Sequence, residues 1–117
     1  MASRARFTRS EIQQLLAKAK RVARLAACDI LMAPAEKEPG RLLVVTSRRI
    51  GTAPQRNTVR RRLKAIFRTY RFDQAGYDCA VIVKTPGVDL SSANLVELLK
   101  AAFAKIGYVA DEDATDN

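Results

Sequence analysis

Two β-branched runs, RLLVVTS at residues 41–47 and YDCAVIV at 77–83, bracket the segment PQRNTVRRRLKAIFRTY at 54–70. The apolar residues of that segment recur at helical spacing. Strand, helix and strand in this order commit the chain to a sheet with a helix packed on it. On a helical projection Val59, Leu63, Ile66, Phe67 and Tyr70 share one stripe, which must face the core. Asn57, Arg61, Lys64 and Arg68 fall on the opposite side, and Arg60 and Arg62 flank the apolar stripe. Arg56 sits in the first turn, where it can lean over the end of the sheet. Arg48 and Arg49 lie upstream, in the connection. Gly51 permits an unusual backbone angle, and Pro54 suits the first helical turn.

The rest of the chain adds two helices and one further extended stretch. TRSE at 8–11 reads as a capping box, with Thr8 as N-cap and Glu11 three residues on. Ile12, Leu15, Leu16 and Ala19 then predict a first helix over about 9–20. The apolar stretch from Val22 to Met32 reads as one strand, and PAEKEPG as a loop. Ser91 or Ser92 caps a last helix that carries Leu95, Leu98, Leu99, Ala102, Phe103 and Ile106 on one face. Gly107 ends it. At 117 residues the chain has room for one modest core. The expectation is one domain over 1–109 and an acidic, disordered tail over 110–117.

Charge narrows the function. The tail holds Asp111, Glu112, Asp113 and Asp116; without it the body carries 21 bases against 8 acids. Between Pro39 and Phe72 there are ten bases and no acid. A merely solvated helix face mixes signs, because i,i+4 pairs of opposite charge stabilise it. A one-signed face points to phosphate. With no His in the chain, a His general base and a zinc site are excluded or nearly so. The body's acids are scattered, without a pair that suggests a two-metal cage. No apolar run approaches the roughly 18–20 residues that span a bilayer. The N-terminus lacks the apolar core of a signal peptide. Cys28 and Cys79 read as core thiols of a chain in a reducing cytoplasm. Strands on both sides of the basic helix argue against a helix-turn-helix DNA reader. Composition and spacing alone therefore lead to a basic α+β domain that binds structured RNA or DNA.

The stretch SRRIGTAPQRNTVRRRLKAIFR, 47–68, resembles the signature of the bacterial ribonuclease P protein subunit. In that family a strand ends in Ser-Lys-Lys, a hydrophobic residue and Gly. An Ala, an Arg-Asn-Arg motif, a basic pair and a later base follow. Ser47, Arg48, Arg49, Ile50, Gly51 and Ala53 match the first part, with Arg for Lys. Arg56 and Asn57 match Arg-Asn, while Thr58 stands where the third residue is usually Arg. Arg60 and Arg61 match the basic pair, and Lys64 the later base. The flanking elements follow the same order, so the resemblance covers about residues 4–107.

The resemblance implies an α+β fold, a two-layer α/β sandwich of ribosomal-protein type. Its order would be α-β-β-β-α-β-α, with a left-handed crossover through the basic helix. It implies an endoribonuclease subunit that promotes maturation of the tRNA 5′ end, acting as a monomer within the ribonucleoprotein. Its partners would be ribonuclease P RNA and precursor tRNA. The chemistry and the Mg²⁺ ions would belong mainly to the RNA subunit, with no catalytic residue on this chain. Arg48, Arg49, Arg56, Asn57, Arg60, Arg61, Lys64 and Arg68 would contact RNA. The 5′ leader would lie in a cleft built from Arg9, Ile12, Leu16 and Ile30. Those last three are aliphatic where the family presents aromatic rings, so the leader would be held mostly by its backbone. Two other classes stay open: a ribosomal or RNA-chaperone protein without an enzymatic partner, and a DNA-binding regulator.

Overall fold

The computed structural model describes residues 7–110. The element order is α1 (Arg9–Lys18), β1 (Lys20–Arg24), β2 (Cys28–Pro34), β3 (Leu42–Val45), α2 (Ala53–Thr69), β4 (Tyr77–Val83) and α3 (Ser92–Lys105). This is the α-β-β-β-α-β-α order of an α+β fold. The four strands form one sheet in the order β1-β2-β4-β3. β2 runs antiparallel to β1 and β4, and β3 and β4 are parallel neighbours joined through α2. The acidic tail expected over 110–117 lies outside the described residues from 111 onward.

Three local expectations need correction. The single strand over 22–32 is a hairpin, β1 and β2, with Arg24 opposite Asp29 and Arg21 opposite Leu31. Its turn is closed by the Leu25 N–H on the Cys28 carbonyl at 2.9 Å. The turn residues Leu25, Ala26 and Ala27 carry none of the Gly, Pro, Asn or Asp that mark such a reversal. α1 accordingly stops at Lys18, because Ala19 is already extended and Lys20 opens β1. Gly51 is extended, with φ 168°, a conformation open to any residue. What it supplies is space, since a Cβ there would meet Gln55 Oε1 at 2.7 Å. Gly107 does terminate α3 from the left-handed region, with φ 87°.

Both faces of the sheet are covered, by different helices. Ile30 and Met32 of β2, Cys79, Val81 and Val83 of β4 and Leu42 and Val44 of β3 face α2 and α3. Their alternates Leu31, Ala33, Leu43 and Ala80 face α1, which rests on them through Leu15. Phe72 lies fully buried under the α2–α3 layer, its ring stacked on Phe103 at 4.4 Å between centroids. Cys28 and Cys79 are free, buried thiols. Burial pushes the Cys28 thiol up to about 11 and Cys79 higher still.

One ion cluster ties the hairpin to β4. Lys84, just past β4, lies 2.8 Å from Asp29 Oδ1 and donates to the Leu25 carbonyl at 2.8 Å; Arg21 stands 3.9 Å from Asp29. The Lys84 hydrogen bond holds the Asp29 carboxyl below its ordinary 3.8. A depressed carboxylate stabilises the fold fully above its unfolded pKa, and that stability drains away as pH falls through the folded value. Asp29→Asn should therefore flatten the fall of Tm below about pH 4 relative to wild type, measured by thermal melts across that range. Parallel curves would mean that Asp29 is not coupled to folding.

Candidate functional site

The basic face is built from α2 outward. The helix starts at a capping box: the Thr52 N–H donates to Gln55 Oε1 at 2.8 Å, and the Gln55 N–H donates to Thr52 Oγ1 at 3.3 Å. The T-x-x-Q spacing was a legible signal for it. Val59, Leu63, Ile66 and Phe67 are buried, while Asn57, Arg61, Lys64 and Arg68 are exposed on the far side. The two stripes stand where the periodicity puts them.

The structure then divides the cations into two sets. Arg56, Arg60 and Arg62 are pinned. Arg56 Nη1 donates to the Gly51 carbonyl at 2.8 Å, and Arg62 Nη1 to the Leu90 carbonyl at 2.8 Å. Arg60 bridges from Asn57 Oδ1 at 3.0 Å to Thr46 Oγ1 on the end of the neighbouring strand. Asn57 therefore orients Arg60 and does not cap the helix, which starts at Thr52. The side chains of Arg48, Arg49, Arg61, Lys64 and Arg68 make no hydrogen bond or ion pair among the described residues. Ion pairs there include Lys18–Glu36, Arg21–Asp29, Arg41–Glu11, Arg71–Asp73 and Lys84–Asp29, and none of these uses a base of residues 48–68. Arg60, Arg61 and Lys64 line a concavity of about 500 Å³ together with Pro54, Asn57 and Thr58. Like charges one helical turn apart cost stability. A stripe of them with no acid paired to it among the described residues is a standing positive field.

The second predicted region does not assemble as a four-residue cleft. Ile30 is fully buried on the α2–α3 side of the sheet, so it cannot line a groove beside α1. Its neighbour Leu31 faces α1 instead, together with Leu43. Arg9, Ile12 and Leu16 do share one flank of α1. Arg9 is exposed, Ile12 half-buried and Leu16 40% exposed, while Leu15 carries the packing. On the opposite flank, Glu11, Gln14 and Lys18 border a cavity of about 420 Å³ against the loop before β3. There Arg41 stacks over the Phe7 ring at 4.1 Å and pairs with Glu11 at 3.1 Å. The Glu11 carboxyl is held below its usual range, first by the Thr8 N–H and then by Arg41. This flank carries acids and bases together, unlike α2.

No three Asp, Glu or Cys side chains converge among the described residues to hold a metal ion. No helix there is long and apolar enough to cross a membrane.

A four-stranded α+β domain with a one-signed cationic helix defines a class of small basic α+β proteins. The family model for ribonuclease P matches residues 1–107, and the chain belongs to the ribonuclease P protein family. That family is the protein part of a tRNA-processing endoribonuclease that contains RNA. Among solved structures the fold is similar to the RNase P protein of Staphylococcus aureus. That match has 21% identity and a TM-score of 0.73, and covers 91% of this chain and 96% of that one. It is also similar to the RNase P protein from Thermotoga maritima, at 22% identity and a TM-score of 0.70, covering 85% and 96%. A comparison with curated proteins gave no match.

Proposed function

We infer that this chain clamps ribonuclease P RNA with the outer face of α2 and guides the 5′ leader of precursor tRNA along α1. The observation that carries the reading is the set of free cations: Arg48, Arg49, Arg61, Lys64 and Arg68 are exposed on and just before α2, and none is paired with an acid among the described residues. Arg suits phosphate because its planar fork bonds two oxygens at once. The pinned Arg56, Arg60 and Arg62 keep the helix end in place while still presenting charge. In this reading hydrolysis and Mg²⁺ belong to the RNA subunit, as the family resemblance implies. The test is reconstitution: the protein is added to a bacterial ribonuclease P RNA at low Mg²⁺, and rescue of precursor-tRNA cleavage is expected. No rescue, with the protein folded, would overturn the reading.

On the α1 side, Arg9, Ile12 and Leu16 offer one cation and two aliphatic side chains to the leader. They provide no ring on which a base can stack. A base–aromatic stack is worth roughly 1–3 kcal/mol. Ile12→Phe should therefore raise the affinity ratio of precursor to mature tRNA about fivefold in the reconstituted holoenzyme. An unchanged ratio in a folded variant would remove Ile12 from the leader path.

A further inference from the structure

Behind the basic face lies a second hollow. It is a groove of about 530 Å³ between α2 and the first half of α3, bordered by Arg61, Ala65, Ile66, Thr69, Tyr70 and Val96. Its size falls within the ~300–1,000 Å³ of small-ligand clefts. Its floor is apolar. Ile66 is buried, Val96 and Tyr70 are half-buried, and no carboxylate among the described residues lines it. Arg61 stands at one end, and Lys100 lies over the Tyr70 ring with Nζ 5.3 Å from its centroid. Thr58 and Arg61 line this groove and the basic concavity alike, so the two hollows meet across a single helical turn. Thr58 keeps the ridge between them low, because its short side chain bends back to donate to the Pro54 carbonyl at 2.9 Å.

We propose that the α2–α3 groove receives one unpaired nucleotide of the RNA whose phosphates lie on the outer face of α2. The base sits on the Ile66–Val96 floor, and the flanking phosphate meets Arg61. The inference rests on the RNA-docking reading. An apolar floor with hydroxyl and cationic edges fits a base flanked by phosphate. Duplex RNA hides its bases, so recognition of this kind targets single-stranded loops and bulges. An acidic peptide would find the same cations, but it has no flat apolar face for the floor.

The chain's two cysteines are buried with raised pKa values, so the thiol introduced by Ala65→Cys is selectively reactive. It is loaded either with an azidophenacyl photolabel or with a neutral phenylmaleimide, in complex with a bacterial ribonuclease P RNA transcript. The photolabel should crosslink to one or two adjacent unpaired nucleotides. The maleimide adduct should weaken RNA binding about tenfold relative to the unlabelled variant. The same adducts on Ala101→Cys, exposed on α3 away from the groove, should do neither. Crosslinks only to paired RNA, or none together with unchanged affinity, overturn the groove proposal. Arg61→Ala with Lys64→Ala separates the two levels. If that variant loses RNA while the Ala65 adducts have no effect, only the groove is wrong. If it too binds normally, RNA docking on α2 itself fails.

Discussion

Replacing Arg61, Lys64 and Arg68 together by alanine should weaken binding to ribonuclease P RNA on the order of a hundredfold at about 0.15 M salt, with no loss of fold. The estimate follows from counterion release: each neutralised phosphate contributes roughly 0.7–0.9 to the log–log slope of affinity against salt. Three lost contacts should flatten that slope by about two to three units. Stability should hold or rise slightly. None of the three side chains has a partner among the described residues, and Arg61–Lys64 and Lys64–Arg68 are like charges one turn apart. Such pairs cost about 0.2–0.5 kcal/mol each. Arg60→Ala makes the contrasting case, because it also removes bonds to Asn57 and Thr46 and should lower Tm. The measurements are a salt titration of RNA affinity and a thermal melt. A triple variant with the wild-type salt slope would move the docking face off α2.

Phe72→Ala should be the most damaging single truncation, costing about 3–5 kcal/mol. The ring is fully buried and stacks on Phe103 at 4.4 Å; Phe67, Tyr70 and Tyr108 stand within 6.2 Å between centroids. It joins the end of α2 to α3, so its removal leaves a void between the two helices that carry the basic face and its neighbouring groove. Against a typical total stability of about 5–15 kcal/mol, the loss should lower Tm by more than about 10 °C. Leu63→Ala, 1% exposed on the inner stripe of α2, should cost about 2–5 kcal/mol by the same physics. In the cold, where either variant still folds, RNA affinity should stay near wild type, since neither side chain reaches the outer face. Denaturant midpoints and RNA binding at low temperature check both halves. A cost below about 1 kcal/mol for Phe72 would mean that the aromatic stack does not hold the helical layer together.

The sequence alone determined most of α2. A period of 3.6 residues can satisfy only one partition of Val59, Leu63, Ile66 and Phe67 from Asn57, Arg61, Lys64 and Arg68, and the structure has that partition. β4, the capping box at Thr8 and the αL residue Gly107 were legible for similar reasons, since each is a local rule with a local signal. The hairpin of β1 and β2 was not, because its Leu-Ala-Ala turn carries no turn chemistry and the apolar run continues through it. The face of each strand was not legible either. With α1 on one side and α2 and α3 on the other, Ile30 and Leu31 are both apolar, and no polar alternation says which looks where. Only packing sent Ile30 into the core and left Leu31 beside α1. Tertiary structure also decided which cations are free. Arg56, Arg60 and Arg62 carry the same charge as Arg61, Lys64 and Arg68. Only the fold brings the Gly51 and Leu90 carbonyls and the Thr46 hydroxyl within their reach, because those acceptors come from the chain around α2 and become neighbours only when it is packed.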